Sequence, residues 1–580
     1  MDTIYSIQKL FRSTFSIGIL FLILSISIFG NSIYNEFAVV DDLSGYIENE
    51  TIRSIPNSIK SFSIQEIVYS INYHFFGMNP TPLRIFALIN HAIVGYLLFL
   101  IMTTIFNKKA AFIASVLFLV HPVTTETINW ISAQFYIVMA IIVLLCLLAL
   151  IAYRNTSEKK YIYIICALFT FDIIFIRHAW VLILPFVITT FDYFFLKKKT
   201  QQRFYNYFLG ISIPIIILFI ILNFSGQFSQ RILGRNESGK TLQNEQSLTP
   251  VIQGYPYTIY SLVRLYTFPK DVTIYYDGSK ITTITHILMY SSFLVYLGII
   301  FYSWKKNKKF AGLLLLLLLF ILPVFSPKKI TWFITERYLY LGTGFFTTML
   351  ALLFIKIEQW SKIKHLAFIL AGIVFLLYSI KTVHRNSEWK NPEILAFSTI
   401  KTSPYSVRPY NDLAGYYVMQ KKYQEAKEYY VKALQVSSSL TAIRNLGHIY
   451  METGFDTSIQ TIEYPADQVY NEAQRMIQSQ EYFAAAYYLN EALSKDADNP
   501  DIYNRIAELF VMYEKKNVAK QYIQELIQKN KANADSYYIL AFITYSEENY
   551  PEAQTFIDQT LQIDPNHAAA LQLQAQLPVN

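Results

Sequence analysis

The sequence is poor in cysteine, in charge and in metal-binding motifs. Its two cysteines, Cys146 and Cys166, both lie inside apolar runs, which rules out a disulfide framework. Charged residues make up 16% of the 580 residues, against about 25% in a typical soluble domain. None of the nine histidines has a metal-ligand spacing such as H-E-x-x-H, so we expect no zinc site.

The few charges are unevenly distributed, and this divides the chain. They are sparse up to about residue 380 and dense after about residue 385, while 53% of all residues are hydrophobic. Such a chain is too apolar for a soluble protein of this length and too long for one domain. The sequence predicts a membrane domain at 1–385, a linker at 386–405 and a soluble domain at 406–580.

Apolar runs predict about eleven membrane helices, since about 20 apolar residues are needed to cross a bilayer. The runs lie at roughly 14–34, 83–106, 110–121, 129–153, 161–176, 179–196, 205–224, 284–304, 310–326, 337–357 and 365–381. The first run lacks a small-residue cleavage site, so we expect an uncleaved anchor rather than a signal peptide. The more polar run at 251–268 is predicted to lie in the outer interface or in a cavity wall.

Lysine and arginine cluster in alternate loops between the predicted spans. The clusters lie at 108–109, 154–160, 197–203, 305–309 and 356–364. Basic loops mark the cytoplasmic side, so the N-terminus is expected there, and an odd number of spans then places the C-terminal part outside the cytoplasm. The net charge of +8 belongs to this pattern and does not indicate nucleic-acid binding.

Ionisable residues in the predicted outer loops form the candidate site. Charge beside hydrocarbon is costly, so we expect these side chains to share one polar cavity at the outer leaflet. They are Asp41, Asp42, His121, Glu126, Arg177, His178, Glu336 and Arg337. Two alternatives stay open: a solvated loop at Asp41 and Asp42, and a structural ion pair between Glu336 and Arg337.

The C-terminal part has a repeat with a period of about 34 residues, that of the tetratricopeptide repeat. Small residues recur in phase where paired helices would cross: Ala473, Ala507 and Ala541, and Ala485, Ala519 and Ala553. Such repeats stack into an α-solenoid whose groove usually binds peptide. Asn411 and Asn504 follow anchoring tyrosines and are predicted to bind an acceptor or partner. Alternatively, they are exposed polar residues without a role.

Six short motifs occur in a set order before the repeats. They are residues 37–42 (FAVVDD), 119–126 (LVHPVTTE), 130–132 (WIS), 268–277 (FPKDVTIYYD), 336–341 (ERYLYL) and 385–389 (RNSEW). In this order they resemble the transmembrane and tetratricopeptide-repeat O-mannosyltransferases and their prokaryotic relatives, within the GT-C glycosyltransferases. The resemblance covers nearly the whole chain. The expected fold is therefore all-α: a GT-C-type membrane domain of about eleven spans, followed by the repeat solenoid.

The resemblance implies an enzyme that transfers a sugar, often mannose, from a polyprenyl-phosphate carrier. The acceptor would be a Ser or Thr hydroxyl of a protein, or another extracytoplasmic group, bound through the repeats. The catalytic aspartate falls on Asp42 or Asp41, and Asp42 is preferred because it lies nearer the turn at Gly45. We expect Arg337, Arg177 and His178 to bind the donor phosphate, and His121, Glu126 and Glu336 to line the cavity. No cofactor is expected, although a divalent metal at the aspartate pair stays open.

The sequence departs from the family pattern at several charged positions. Family members often have histidine at Thr124, arginine or lysine at Gln134, an acidic residue near Tyr136, and lysine at Arg177. Phosphate binding would therefore depend more strongly on Arg177 and Arg337. Two other classes remain: a catalytically silent membrane scaffold whose repeats recruit partners, and a transporter of a lipid-linked substrate. The spans show no internal repeat, which argues against a transporter.

The predicted topology can be tested with protease. If residues 406–580 lie outside the cytoplasm, protease added to intact cells or spheroplasts should remove the repeats, because no membrane then shields them. Cleavage that requires permeabilisation of the membrane would contradict this orientation.

Overall fold

The computed structural model describes residues 2–38, 40–176, 178–196, 208–210, 212–214, 217, 251–276, 283–322 and 334–578. Within these ranges the regular structure is entirely helical, so the predicted all-α class is confirmed. The chain forms two compact units, Met1–Asp412 and Leu413–Asn580. Each unit is described by itself.

The described part of the first unit contains fifteen α-helices of five residues or more. They are α1 (Asp2–Phe29), α2 (Ile55–Lys60), α3 (Ile64–Phe76), α4 (Thr81–Ile105), α5 (Lys108–Leu119), α6 (Thr125–Asn129), α7 (Phe135–Thr156), α8 (Lys160–Phe171), α9 (Leu184–Phe195), α10 (Val251–Thr267), α11 (Thr283–Lys306), α12 (Lys308–Ile321), α13 (Glu336–Ser361), α14 (Leu366–Glu388) and α15 (Pro392–Thr402). Shorter 3₁₀ or π turns occur at Gly30–Ser32, Leu43–Ile47, Glu50–Arg53, Pro122–Thr124, Ile131–Ala133, Asp172–Ile176 and Ala179–Ile183. The predicted linker at 386–405 is largely helical, since it contains the end of α14 and all of α15.

Six helical stretches in the described part are long and apolar enough to cross a membrane, which makes the chain a membrane protein. They are Thr14–Ser32, Thr81–Ile105, Ile131–Thr156, Thr283–Lys306, Glu336–Ser361 and Leu366–Glu388. The shorter helices α8, α9 and α12 coincide with predicted spans, and most of the run at 205–224 lies outside the described residues. The total of eleven spans therefore stays a prediction.

The third predicted span is broken near its end. Helix α5 is followed by Pro122–Asn129, which is bent from it by 53°. Pro122 has no N–H to continue the helical bonding, and it suits the first turn of the new segment. The Nδ1 atom of His121 accepts the backbone N–H of Val123 at 3.2 Å and caps this turn. The break directs α6, and Glu126 within it, toward the start of α13.

Loops predicted to share the basic side of the membrane contact one another. Lys109 forms an ion pair with Glu358 at 2.5 Å, and Arg154 pairs with Asp192. The Nζ atom of Lys309 donates to the carbonyl of Ile105 at 2.7 Å. These contacts are consistent with the predicted grouping, and both the topology and the assignment of this side to the cytoplasm stay predictions.

The second unit is a stack of paired helices. Its helices, of which the first begins in the first unit, are α16 (Arg408–Met419), α17 (Tyr423–Val436), α18 (Leu440–Thr453), α19 (Ala466–Gln478), α20 (Tyr482–Lys495), α21 (Pro500–Met512), α22 (Lys516–Gln528), α23 (Ala534–Ser546), α24 (Tyr550–Ile563) and α25 (Ala568–Ala575). All six phased alanines are fully buried, as the predicted close crossings require. A side chain larger than a methyl group would separate the paired helices at these points.

An irregular segment, residues 454–465, interrupts the repeats after α18. We call it the insertion. Glu491 on α20 accepts the backbone N–H groups of Thr461 at 2.9 Å and Ile462 at 3.1 Å. Asp456 pairs with Lys427 on α17 at 2.5 Å, and the N–H of Phe455 donates to the hydroxyl of Tyr522 on α22 at 3.0 Å. The insertion is therefore fixed to three separate helices.

The contact between α18 and α20 leaves no room for a side chain at Gly447. A Cβ atom there would lie 1.7 Å from the backbone oxygen of Phe483. Gly447→Ala should force the helices apart and destabilise the repeat unit by about 1–3 kcal/mol. The measurement is protease resistance of the repeats in the purified full-length protein as temperature rises.

Gly415→Ala is the matched control. Its added Cβ would meet only the hydroxyl of Tyr430, at an ordinary 3.7 Å, and alanine favours a helix over glycine. Equal resistance of the two variants would contradict the close crossing at Gly447.

Candidate functional site

A buried arginine connects segments of the predicted outer loops. The guanidinium of Arg84, at the start of α4, donates to the carbonyls of Asn35 at 3.0 Å and Asn129 at 2.5 Å, and also to that of Glu36. Its side chain is 2% exposed. Arg84 is not among the predicted site residues, although a lone arginine at the start of an apolar run is itself a signal.

Asp42 is buried and fully engaged by the surrounding loops. One carboxylate oxygen accepts the backbone N–H of Ser132 at 2.9 Å and its hydroxyl at 2.6 Å. The other accepts the N–H of Ala38 at 3.0 Å. Burial raises the pKa of Asp42 to about 6, and the Ser132 hydrogen bonds and the charge of Arg84 partly oppose this rise. Asp42 therefore anchors the first outer loop to the turn at Ile131–Ala133.

Asp41, the adjacent residue, is exposed to solvent. Desolvation by the surrounding protein nevertheless raises its pKa, partly offset by the positive charges of Arg337 and Arg408. Asp42 is therefore a buried residue and Asp41 a surface residue, and which of the two is catalytic stays a prediction.

Arg337 is held by a buried ion pair at the start of α13. It pairs with Glu126, whose carboxylate is fully buried and also accepts the backbone N–H of Glu336 at 3.0 Å. The guanidinium carbon lies 4.7 Å from the ring centre of Trp130 and 5.2 Å from that of Tyr338. Ion pairing and stacking together fix the orientation of Arg337.

Glu336 has different partners, so the alternative of a Glu336–Arg337 pair is wrong. Its carboxylate accepts from Arg385 at 3.4 Å and from the Tyr276 hydroxyl at 3.3 Å. Arg385 also pairs with Glu388, one turn further along α14. The motifs at 268–277, 336–341 and 385–389 therefore meet in one buried polar network.

His121 is placed at the helix break rather than presented to a ligand. Its second ring nitrogen, Nε2, donates to the carbonyl of Tyr266 at 3.2 Å. Both ring nitrogens are therefore hydrogen-bonded to backbone groups. The hydroxyl of Thr124, one of the departures from the family pattern, donates to the His121 carbonyl at 2.8 Å. Gln134, another departure, is buried at the end of the turn that Asp42 holds.

His178 joins an aromatic cluster near Arg337, whereas Arg177 lies outside the described residues. The Nε2 atom of His178 is 3.4 Å from the Tyr136 hydroxyl, and its ring centre is 5.0 Å from that of Trp180. Trp180 in turn packs on Tyr338, with ring centres 4.4 Å apart. The phosphate-binding role of His178 and Arg177 stays a prediction.

The two asparagines predicted to bind an acceptor are both buried, so the alternative of exposed polar residues is wrong. The Asn504 amide donates to Asn533 at 2.9 Å and accepts from Ser536 at 2.8 Å, which links neighbouring repeats. Its side chain is therefore engaged inside the solenoid. Asn411 lies in the first unit, and its binding role stays a prediction.

Arg408 is also absent from the predicted site residues. It begins α16, stacks on the ring of Tyr275 at 6.0 Å, and acts on the charge of Asp41. Tyr275 is fixed by a 2.6 Å hydrogen bond to Asp412. Its place in the sequence puts Arg408 in the predicted repeat domain at 406–580, so the sequence gives no sign that it lies near the loop of Asp41. Among the described residues no three His, Cys, Asp or Glu side chains come together as metal ligands.

The amino-acid sequence is similar to one repeat family and to several known proteins. The tetratricopeptide repeat family matches residues 514–577. Human protein O-mannosyl-transferase TMTC3 is 23% identical over 490 residues, covering 72% of this chain, and its mouse counterpart is 21% identical over 482 residues. The resemblance to the transmembrane and tetratricopeptide-repeat family is confirmed. Frog (Xenopus laevis) tmtc2 is 32% identical over 111 residues, which are 18% of this chain and 13% of that protein. The chain spans about half, 51%, of the length of the two TMTC3 proteins.

The titration of Asp42 gives a prediction on stability. Its pKa is about 6 in the folded chain against an ordinary 3.8, so folding favours the protonated form. The resulting stabilisation is complete below pH 3.8 and is lost as pH rises through 6, a difference on the order of 3 kcal/mol. Asp42→Asn cannot titrate, so its melting temperature should fall less than that of the wild type between pH 5 and pH 7.

Thermal unfolding in detergent across this pH range is the measurement. The amide also loses the Ala38 hydrogen bond, but that offset is independent of pH. Glu48→Gln, which changes an exposed carboxyl in the same loop, should leave the wild-type profile in place. Parallel profiles for wild type and Asp42→Asn would contradict the assignment.

Proposed function

We propose that the chain is a membrane glycosyltransferase that moves a sugar, mannose being the first candidate, from a polyprenyl-phosphate carrier to a hydroxyl group. The acceptor is a Ser or Thr of a protein or another extracytoplasmic molecule. The observation that carries the proposal is that Asp41, an exposed residue, lies close enough to Arg337 and Arg408 for both positive charges to lower its pKa. The similarity to proteins named O-mannosyl-transferases supports it.

Asp41 suits the role of general base. As the acceptor oxygen bonds to the sugar C1 and the bond from C1 to the phosphate oxygen breaks, the hydroxyl proton passes to the Asp41 carboxylate. A raised pKa brings the carboxylate closer to the proton affinity that this step requires. Asp42 positions the loop through Ser132 and Ala38 and needs no contact with substrate. Inversion at C1 is expected by analogy with the family.

Arg337 and Arg408 supply the cationic groups for the departing polyprenyl phosphate. A planar guanidinium binds two phosphate oxygens at once, and Trp130 and Tyr338 hold that of Arg337 in place. The phosphate would lie at the outer ends of the spans, with the carrier lipid in the bilayer. We assign this side to the exterior, with the N-terminus in the cytoplasm and the repeats available to protein acceptors or partners.

A second candidate is the silent scaffold, and the charge balance of the site favours it. The outer network contains four arginines, Arg84, Arg337, Arg385 and Arg408, against five carboxylates, Asp41, Asp42, Glu126, Glu336 and Glu388. Arg337 in particular is already paired with Glu126. A scaffold would keep this network for folding alone, and its repeats would bind partners without sugar transfer.

Asp41→Asn separates the two candidates. Loss of a general base typically lowers the rate about 10²- to 10⁴-fold, while the exposed position of Asp41 makes a folding defect unexpected. The assay uses the purified protein, radiolabelled polyprenyl-phosphate mannose and a set of Ser- and Thr-containing acceptor peptides. Parallel reactions with a chelator, Mg²⁺ or Mn²⁺ test the cofactor expectation.

Glu48→Gln is the matched control, because it removes an exposed carboxylate from the same loop. It should transfer sugar at the wild-type rate. Transfer by Asp41→Asn at the wild-type rate would refute the proposed base. Absence of transfer by the wild type to every acceptor, with intact folding, would favour the scaffold.

A further inference from the structure

The insertion leaves a groove beside α22, which we call the insertion groove. Its volume is about 680 Å³, and ligand-binding clefts typically measure roughly 300–1,000 Å³. One side consists of residues 451–455 and 457, at the end of α18 and in the insertion. The rest comes from α21, α22 and the end of α20 with the turn after it. Asn504, which the sequence predicted to bind an acceptor, does not line this groove.

Aromatic side chains form much of the apolar surface of the insertion groove. The ring of Tyr522 stacks on that of Phe510 with ring centres 5.5 Å apart, and Phe455 packs edge-on against both at 5.9 Å. The hydroxyl of Tyr522 accepts the backbone N–H of Phe455, which fixes the insertion to this cluster. Phe455 and Tyr522 are only partly buried and line the groove. Their rings therefore offer a surface on which a large apolar side chain can pack.

The charged side chains of the insertion groove balance one another. Lys515 pairs with Glu452 at 3.1 Å, and Lys529 pairs with Glu525 at 2.9 Å. Gln521, an exposed amide, lies between Lys515 and Glu525 in the sequence and also lines the groove. A strongly charged ligand would gain little net attraction from two lysines that are each paired with a glutamate. The groove therefore favours a ligand that is close to neutral.

The polar side chains along α22 match the backbone of an extended peptide. Gln521, Glu525 and Lys529 follow one another at four-residue steps, so they lie along one face of the helix and its end. They extend over about 12 Å, at roughly 1.5 Å per residue of helix. An extended peptide covers that length with about four residues. Its N–H and C=O groups need both acceptors and donors, and these three side chains provide both.

We propose that the insertion groove binds an extended peptide segment that carries one large apolar or aromatic side chain between uncharged polar residues. The apolar side chain packs on Phe455 and Tyr522, and the peptide backbone lies along α22. Since the insertion is already fixed to three helices, binding needs to order little of the protein. The inference goes beyond the proposed function, because it requires neither a sugar donor nor transfer.

Other classes of ligand match the groove less well. An acidic or phosphorylated segment requires cations that are not already neutralised, whereas Lys515 and Lys529 both have glutamate partners. A lipid chain would cover the two ion pairs and offer no hydrogen bonds in place of water.

The test selects ligands for the full-length protein in detergent from a library of random dodecapeptides displayed on phage. We expect the enriched peptides to share one aromatic or large aliphatic residue in a neutral polar context. Synthetic copies are then measured by fluorescence polarisation. Replacing the shared apolar residue by alanine should weaken binding about 10-fold or more, because it removes the anchoring side chain. No enrichment, or enrichment of acidic or basic peptides, would overturn the proposal.

Two groove variants locate the binding on the protein. Gln521→Trp on α22 and Thr457→Trp on the insertion each place an indole ring in the groove at an exposed position, so folding should be retained. Each should weaken binding about 10-fold or more, since the ring occupies the space of the peptide. Gln524→Trp is the matched control, because Gln524 is exposed on the same helix but does not line the groove. Unchanged binding by either groove variant, or equal loss in the control, would also overturn the proposal.

Discussion

The buried carboxylate of Glu126 is the constraint on which one end of the membrane unit, the predicted outer end, depends. A fully buried carboxylate must be compensated, and removing one member of such a pair typically costs about 3–5 kcal/mol. Arg337 and the backbone N–H of Glu336 provide the compensation, and both belong to the first turn of α13. The pair therefore sets the position of α13 against the broken third span. It also leaves Glu336 to bind Arg385, which brings in the end of α14.

The fold could be predicted from the sequence because its signals are local or periodic. A long apolar run implies a span wherever it occurs, and the phased alanines imply helix crossings whose partners lie about one repeat away. Most of the site residues could also be predicted, since a charged side chain in a short loop between two predicted spans is unusual. Their pairing could not, because it depends on contacts between loops far apart in sequence. Arg337 could have paired with Glu336 beside it, yet the helix start aims it at Glu126.

The same limit applies to the aspartate pair. Adjacent residues in a chain point in different directions, and the sequence does not say which one faces the interior. Burial and three hydrogen bonds make Asp42 a fixed point of the loop, and Asp41 is then turned outward. Arg84 and Arg408 could not be predicted as site residues for a related reason. One lies in an apolar helix and the other beside the repeats, and only the folded chain brings them to this loop.

In an uninterrupted solenoid each repeat touches only its neighbours, so the array can unravel one repeat at a time from either end. The insertion changes that behaviour, because its residues bind α17, α20 and α22 together. Helices from α17 to α22 should consequently unfold as a single cooperative block, detectable as one group of amides with a common hydrogen-exchange rate. Among the described residues, the helices after α22 form no hydrogen bond or ion pair with the insertion, so their amide hydrogens should exchange earlier. A partner that binds the final repeats would therefore bind a flexible surface. A partner that binds the helices from α17 to α22 would bind a rigid one.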